Sequence, residues 1–179
     1  MNWIVSILIT AEILFWAVIV LGLISRYILR LNKVGLFCFA LTPLIDLVLV
    51  IVMSIDLLNG AKATIPHGIA AVYVGVSIIF GKRMIQWADD RFKYYILKKG
   101  VLPVKKSGLA YAKQYFKDWI LHGLAYILGT GILWVIILSI GHSSDVTALY
   151  HVIKLWTVVL IIDLFVAISY FIWRRPEKT

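Results

Sequence analysis

Long apolar runs alternate with short polar segments along this chain, and the runs are too long for strands of a soluble sheet. Residues 3–25 (WIVSILITAEILFWAVIVLGLIS) are broken by a single charge, Glu12. A helix needs roughly 20 apolar residues, at about 1.5 Å each, to cross about 30 Å of hydrocarbon, so this run is long enough to span a bilayer. No basic residue precedes it, so it reads as a span and not as a secretory signal peptide. Runs at 34–57, 66–83, 119–140 and 152–173 predict four further spans by the same measure. Pro43 lies inside the second and removes one backbone hydrogen bond a turn before Asp46. The turn NGAKATIP at 59–66 is short, which makes the second and third spans antiparallel neighbours. Gly68, Ala71 and Gly75 form a small-residue stripe that lets backbones approach closely, against another span or against a second copy.

Between the third and fourth spans the pattern changes. Residues 82–118 are the long hydrophilic segment, with Ile85, Ala88, Phe92, Tyr95 and Ile96 at helical spacing and charges elsewhere. Asp89 and Lys93 form an i,i+4 pair in the favourable order. This predicts amphipathic surface helices in the 82–118 loop, broken at Gly100 and Pro103 and resumed after a Ser107 cap. The fold class is all-α: a polytopic five-helix membrane bundle forming a single domain over 1–179.

Composition agrees, with 62% hydrophobic and 15% charged residues, against roughly 45–50% and about 25% in soluble domains. The net charge of +9 does not point to nucleic acid, because the basic residues lie between and beyond the apolar runs and no soluble binding module accompanies them. If the N-terminus is outside, Arg26, Arg30, Lys33, the ten basic residues of 82–118, Arg174, Arg175 and Lys178 face the cytoplasm, sixteen of the eighteen Lys and Arg. Only Lys62 and Lys154 fall outside, which predicts an N-out, C-in orientation with the basic face on anionic lipid head groups. The lone cysteine, Cys38, excludes an intramolecular disulfide.

Candidate chemistry begins with Glu12, Asp46 and Asp163, each within about three residues of the middle of its span and so within roughly 5 Å of one midplane. An ionised carboxylate there costs about 2.5–3.5 kcal/mol on insertion scales. If the three converge, repulsion and desolvation keep at least one neutral, and the cluster can share protons or bind a cation. Alternatively, each acid is neutral interhelical glue, bonded to hydroxyls such as Thr10, Thr42, Ser77 and Thr157. Asp56 and His67 would form the outer mouth of such a site. His67, His142 and His151 also lie near the outer face, and a metal ion or haem held by them is a further alternative. No HExxH, nucleotide loop or nucleophile elbow is present, so the chain is not expected to be an enzyme and no cofactor is required.

The residues Asp56-Leu57, Gly60-Ala61, Ala63, His67-Gly68, Ala70-Ala71, Tyr73, Gly75, Ser77, Phe80-Gly81, Trp87-Ala88-Asp89 and Arg91-Phe92 form a string that resembles the YmcC-like bacterial membrane proteins. The resemblance covers the second and third spans and the start of the loop. It implies a bacterial cytoplasmic membrane and draws attention to Asp56, His67, Tyr73 and Asp89, but implies no activity. Two functional classes follow from the residues. The first is a small protein that binds or moves a proton or cation through midplane carboxylates. The second is an accessory or scaffold subunit, a homodimer or the companion of another membrane protein, that recruits a partner or anionic lipid through its basic loop.

Overall fold

The computed structural model describes residues 3–98, 106–140 and 145–173. They form α1 (Trp3–Tyr27), α2 (Asn32–Leu58), α3 (Ile65–Tyr95), α4 (Gly108–Ile140) and α5 (Thr147–Ile172). All five are long and apolar enough to cross a membrane. Large apolar side chains such as Leu36, Phe37, Leu138 and Phe165 point outward. That pattern is unstable in water and natural in lipid, which solvates the outer surface as well as a core would.

The spans match the expected five, with one difference. The amphipathic segments of the 82–118 loop are not separate surface helices among the described residues: they are the ends of α3 and α4. Nothing between Lys82 and Tyr95 breaks a helix, and the Lys93 Nζ to Asp89 Oδ2 pair at 2.9 Å supports the added turns. At 31 and 33 residues, α3 and α4 reach about 46 and 50 Å, well beyond a hydrocarbon core of about 30 Å. Both overhang at the basic end. There the guanidinium of Arg83 pairs with Asp118 of α4, whose Oδ1 also accepts from Gln114 Nε2 at 3.1 Å. The anticipated breaks at Gly100 and Pro103 lie outside the described residues. α2 runs through Pro43 without interruption. The missing N–H would have bonded the Phe39 carbonyl, and the Thr42 hydroxyl donates to that oxygen instead, at 2.9 Å.

α3 is the hub and touches all four other helices, with α1 and α2 on one flank and α4 and α5 on the other. α1 touches neither α4 nor α5 among the described residues, so α1 and α5 stand on either side of α3 with their far faces in lipid. The small-residue stripe is an internal seam. A Cβ on Gly75 would lie 2.6 Å from the Ala125 carbonyl of α4, and one on Gly68 would lie 2.7 Å from Val152 of α5. Glycine is required at Gly75 because the neighbour is backbone and cannot move aside.

Buried apolar side chains gather in two clusters. Leu49, Met53, Leu57, Ala70, Ala71, Val74, Leu133, Ile137, Leu149 and Val152 close the end where α2 turns into α3. Ile19, Leu23 and Phe39 close the basic end between α1 and α2, with Ile85 and Phe92 of α3 against them. A cavity among α1, α2 and α3 lies between these two clusters, and another opens among α3, α4 and α5.

Candidate functional site

The two predicted midplane acids of the α1–α2 flank meet. Glu12 of α1 and Asp46 of α2 line one cavity of about 160 Å³, closed on its third side by Tyr73, Val76, Ser77 and Met84 of α3 and by Phe15 and Trp16. Asp46 is 5% exposed, whereas Glu12 sits at the lipid-facing mouth. Tyr73 Oη donates to Glu12 Oε2 at 3.4 Å, a long bond that ties the mouth to α3. Ser77 is 6% exposed and its hydroxyl stands beside the Asp46 carboxyl. Ser77 Oγ faces that carboxyl as its polar neighbour without reaching the geometry of a full hydrogen bond. A buried hydroxyl so weakly partnered is costly, so this cavity holds polar capacity that the protein does not fully use on itself.

Asp163 does not join them. It lies across α3, facing a second cavity of about 440 Å³ walled by Phe80, His122, Ala125, Trp156 and Val166. Both its oxygens are taken: Tyr115 Oη donates to Oδ1 at 3.0 Å, and His122 Nδ1 stands 2.6 Å from Oδ2. Sequence reasoning missed Tyr115 and His122 as partners. The readable signal was the spacing of Tyr115, Trp119, His122 and Tyr126, which puts four polar aromatics on one face of α4. That face meets α5 throughout: Trp119 Nε1 donates to the Leu160 carbonyl at 3.1 Å, and Tyr126 Oη bonds Thr157 Oγ1 at 2.7 Å. Val76 of α3 lines both cavities.

Asp56 and His67 also meet, at the end away from the basic loop. The His67 side chain is fully buried and its Nε2 lies 3.1 Å from Asp56 Oδ2. Its Nδ1 accepts the backbone N–H of Thr64 at 3.1 Å, in a capping box that starts α3. Because Nδ1 accepts a backbone proton, the ring proton is on Nε2 and is donated to Asp56. Histidine here takes the place that Glu or Gln holds in the usual capping box. With both ring nitrogens engaged, His67 offers no lone pair to a metal. His151 is exposed, and His142 lies outside the described residues. No group of three metal-ligating side chains occurs among the described residues.

The basic end carries one more buried acid, Asp89, with Lys93 at 2.9 Å and Arg26 of α1 at 3.6 Å. Tyr27 stacks on Phe92 beside it, at 5.8 Å between ring centroids.

Along 178 residues, 99% of this chain and 96% of the relative, the sequence is 50% identical to the uncharacterised membrane protein YmcC of Bacillus subtilis (strain 168). The chain belongs to the YmcC family. It is a multi-pass membrane protein with five spanning helices. No protein-family model matches it and no solved structure is similar to it. Each of the four positions to which the family pattern drew attention has a polar contact. Asp56 and His67 bond one another, Tyr73 reaches Glu12, and Asp89 ties α3 to α1.

Proposed function

We propose that this YmcC-family protein binds a proton or a small monovalent cation at Glu12 and Asp46 and passes it across the bilayer. The supporting observation is the cavity that two carboxylates from different helices share with a weakly partnered, buried Ser77 hydroxyl. An acid kept only to hold helices together would have its oxygens occupied, as those of Asp163 are. Glu12 and Asp46 together leave acceptor capacity facing space, at a depth where an ionised acid costs about 2.5–3.5 kcal/mol. A proton relieves that cost, and so does a cation taking oxygens from Glu12, Asp46, Tyr73 and Ser77.

Other polar clusters suit the two ends of such a route. Asp56 and His67 stand at one end. Asp89, with Lys93 and Arg26, stands at the basic end, which in this reading faces the cytoplasm. The reading makes the protein a non-enzymatic carrier.

The test is flux in liposomes as a function of pH, with protons, Na⁺ and K⁺ offered separately, comparing the natural chain with Asp46→Asn. A flux that Asp46→Asn abolishes, in protein that still elutes as a single folded species, supports the carboxylate site. Absence of flux for all three ions in the natural chain ends the reading.

A further inference from the structure

The carboxylate cavity does not end at Met84. A neighbouring cavity of about 370 Å³ is lined by Trp16, Ile19, Arg83, Met84 and Trp87, and Trp16 and Met84 line both. Together they make one groove between α1 and α3, running about 21 Å along α3 from Tyr73 to Trp87. Its walls are apolar and aromatic, and its two ends differ in charge.

Arg83 lies about 27 Å along α3 from Ile65, which puts it near the hydrocarbon boundary at the basic end. It is 44% exposed along its side chain, and only its Nη1 is taken, by Asp118. The other guanidinium N–H groups have no partner among the described residues. One turn on, Trp87 carries the Arg91 guanidinium over its ring at 3.8 Å. Arg91 has no carboxylate partner among the described residues either. Two guanidinium groups thus flank an interfacial tryptophan at the mouth of an apolar groove. That is the chemistry of an anionic head group attached to a hydrocarbon chain.

We propose that this groove holds one anionic phospholipid. Its phosphate sits on Arg83 and Arg91 beside Trp87, and an acyl chain runs along Trp16, Ile19 and Met84 toward the carboxylates. A free phosphate explains the arginines but not the apolar groove below them. A lipid without a phosphate explains the groove but not the arginines, and in phosphatidylcholine the choline cation offsets the phosphate charge that two guanidinium groups would otherwise meet. This site is independent of whether the carboxylates carry an ion.

The test is native mass spectrometry of the full chain in detergent, titrated with dioleoyl phosphatidylglycerol and, separately, with dioleoyl phosphatidylcholine. One phosphatidylglycerol should be retained about tenfold more tightly than phosphatidylcholine, the scale of a charge-assisted hydrogen bond. Arg83→Gln should remove most of that preference, and Met84→Trp, which fills the groove, should weaken both lipids. Asp118→Ala separates head-group binding from helix pairing, because it frees Arg83 from α4 without removing the guanidinium. Phosphatidylglycerol should still bind this variant. Glycerophosphate, the head group without a chain, should not displace the lipid. Equal affinity for the two lipids, full displacement by glycerophosphate, or unchanged binding in both Arg83→Gln and Met84→Trp would overturn the proposal.

Discussion

Asp46 and Asp163 are the same side chain at depths within roughly 6 Å of one another, on opposite flanks of α3. The Asp163 carboxylate is held by two donors from α4, and every polar aromatic on that face of α4 has a partner on α5. Asp46 shares a cavity with a second acid, and the nearest hydroxyl is only weakly partnered. Depth and residue type therefore do not decide whether a membrane-embedded acid is glue or a site; the supply of donors within the fold does. One flank of this molecule spends its acid on cohesion, while the other keeps capacity in reserve.

The largest effect should come from removing the hub on which the contrast depends. Gly75→Leu drives a side chain into the Ala125 carbonyl, where even a Cβ would lie 2.6 Å away. Overpacking of this kind costs about 1–3 kcal/mol or more in a soluble core, and a backbone-to-backbone seam has less freedom to relax. Gel filtration and thermal melting in detergent should show loss of the folded species. The next test sets the two acids against each other. Asp163→Ala strands Tyr115 and His122 and should lower stability by about 2 kcal/mol, given that single interhelical bonds in lipid are worth up to about 1.7 kcal/mol. Asp46→Ala strands no donor at bonding distance and should change stability by less than about 1 kcal/mol. Unfolding in SDS measures both, and equal losses would erase the distinction between the flanks.

Much of this was legible from the chain, for a physical reason. Lipid demands long apolar runs and closed backbone bonding, so the five spans are written in hydropathy, and Glu12, Asp46 and Asp163 stand out because charges there are rare. Which acids meet depends on helix rotation, which hydropathy does not encode. The sequence therefore leaves open whether Glu12, Asp46 and Asp163 converge; in the fold Glu12 and Asp46 share one cavity and Asp163 lies across α3. The loop boundary misleads differently: amphipathic periodicity after Lys82 suggests a new surface helix just past Gly81, but a single glycine does not end a helix, and α3 runs through it to Tyr95. The four hydroxyls considered as partners for the acids divide in the same way. Thr10, Thr42 and Thr157 bond backbone carbonyls of their own helices, and Ser77 alone stands beside an acid. A hydroxyl's preference for its own i−4 or i−3 carbonyl is local and readable; its failure to find one is not.

Two smaller effects at the end away from the basic loop test whether burial sets the scale. Asp56→Ala leaves the fully buried His67 Nε2–H without its acceptor, and should lower stability by about 1 kcal/mol. Asp145, before α5, is the exposed counterpart. Its Oδ1 accepts the Thr147 backbone N–H at 3.0 Å, and hydrogen bonds from Thr147 hold its carboxyl below the ordinary aspartate range. A depressed folded-state value means that the ionised form is the one that stabilises. That contribution is complete above about pH 5, past the ordinary aspartate value of about 3.9, and is lost as pH falls through the lower value in the folded protein. Asp145→Ala should therefore lower stability at neutral pH by the least of these variants, and should flatten part of the acid limb of a stability–pH curve. The backbone bond from Ala63 N–H to the Asp145 carbonyl, 3.2 Å, survives the substitution and keeps the turn before α3 tied to the start of α5. A loss as large as that of Asp56→Ala would mean that the α5 cap, and not the buried histidine, secures this end of the bundle.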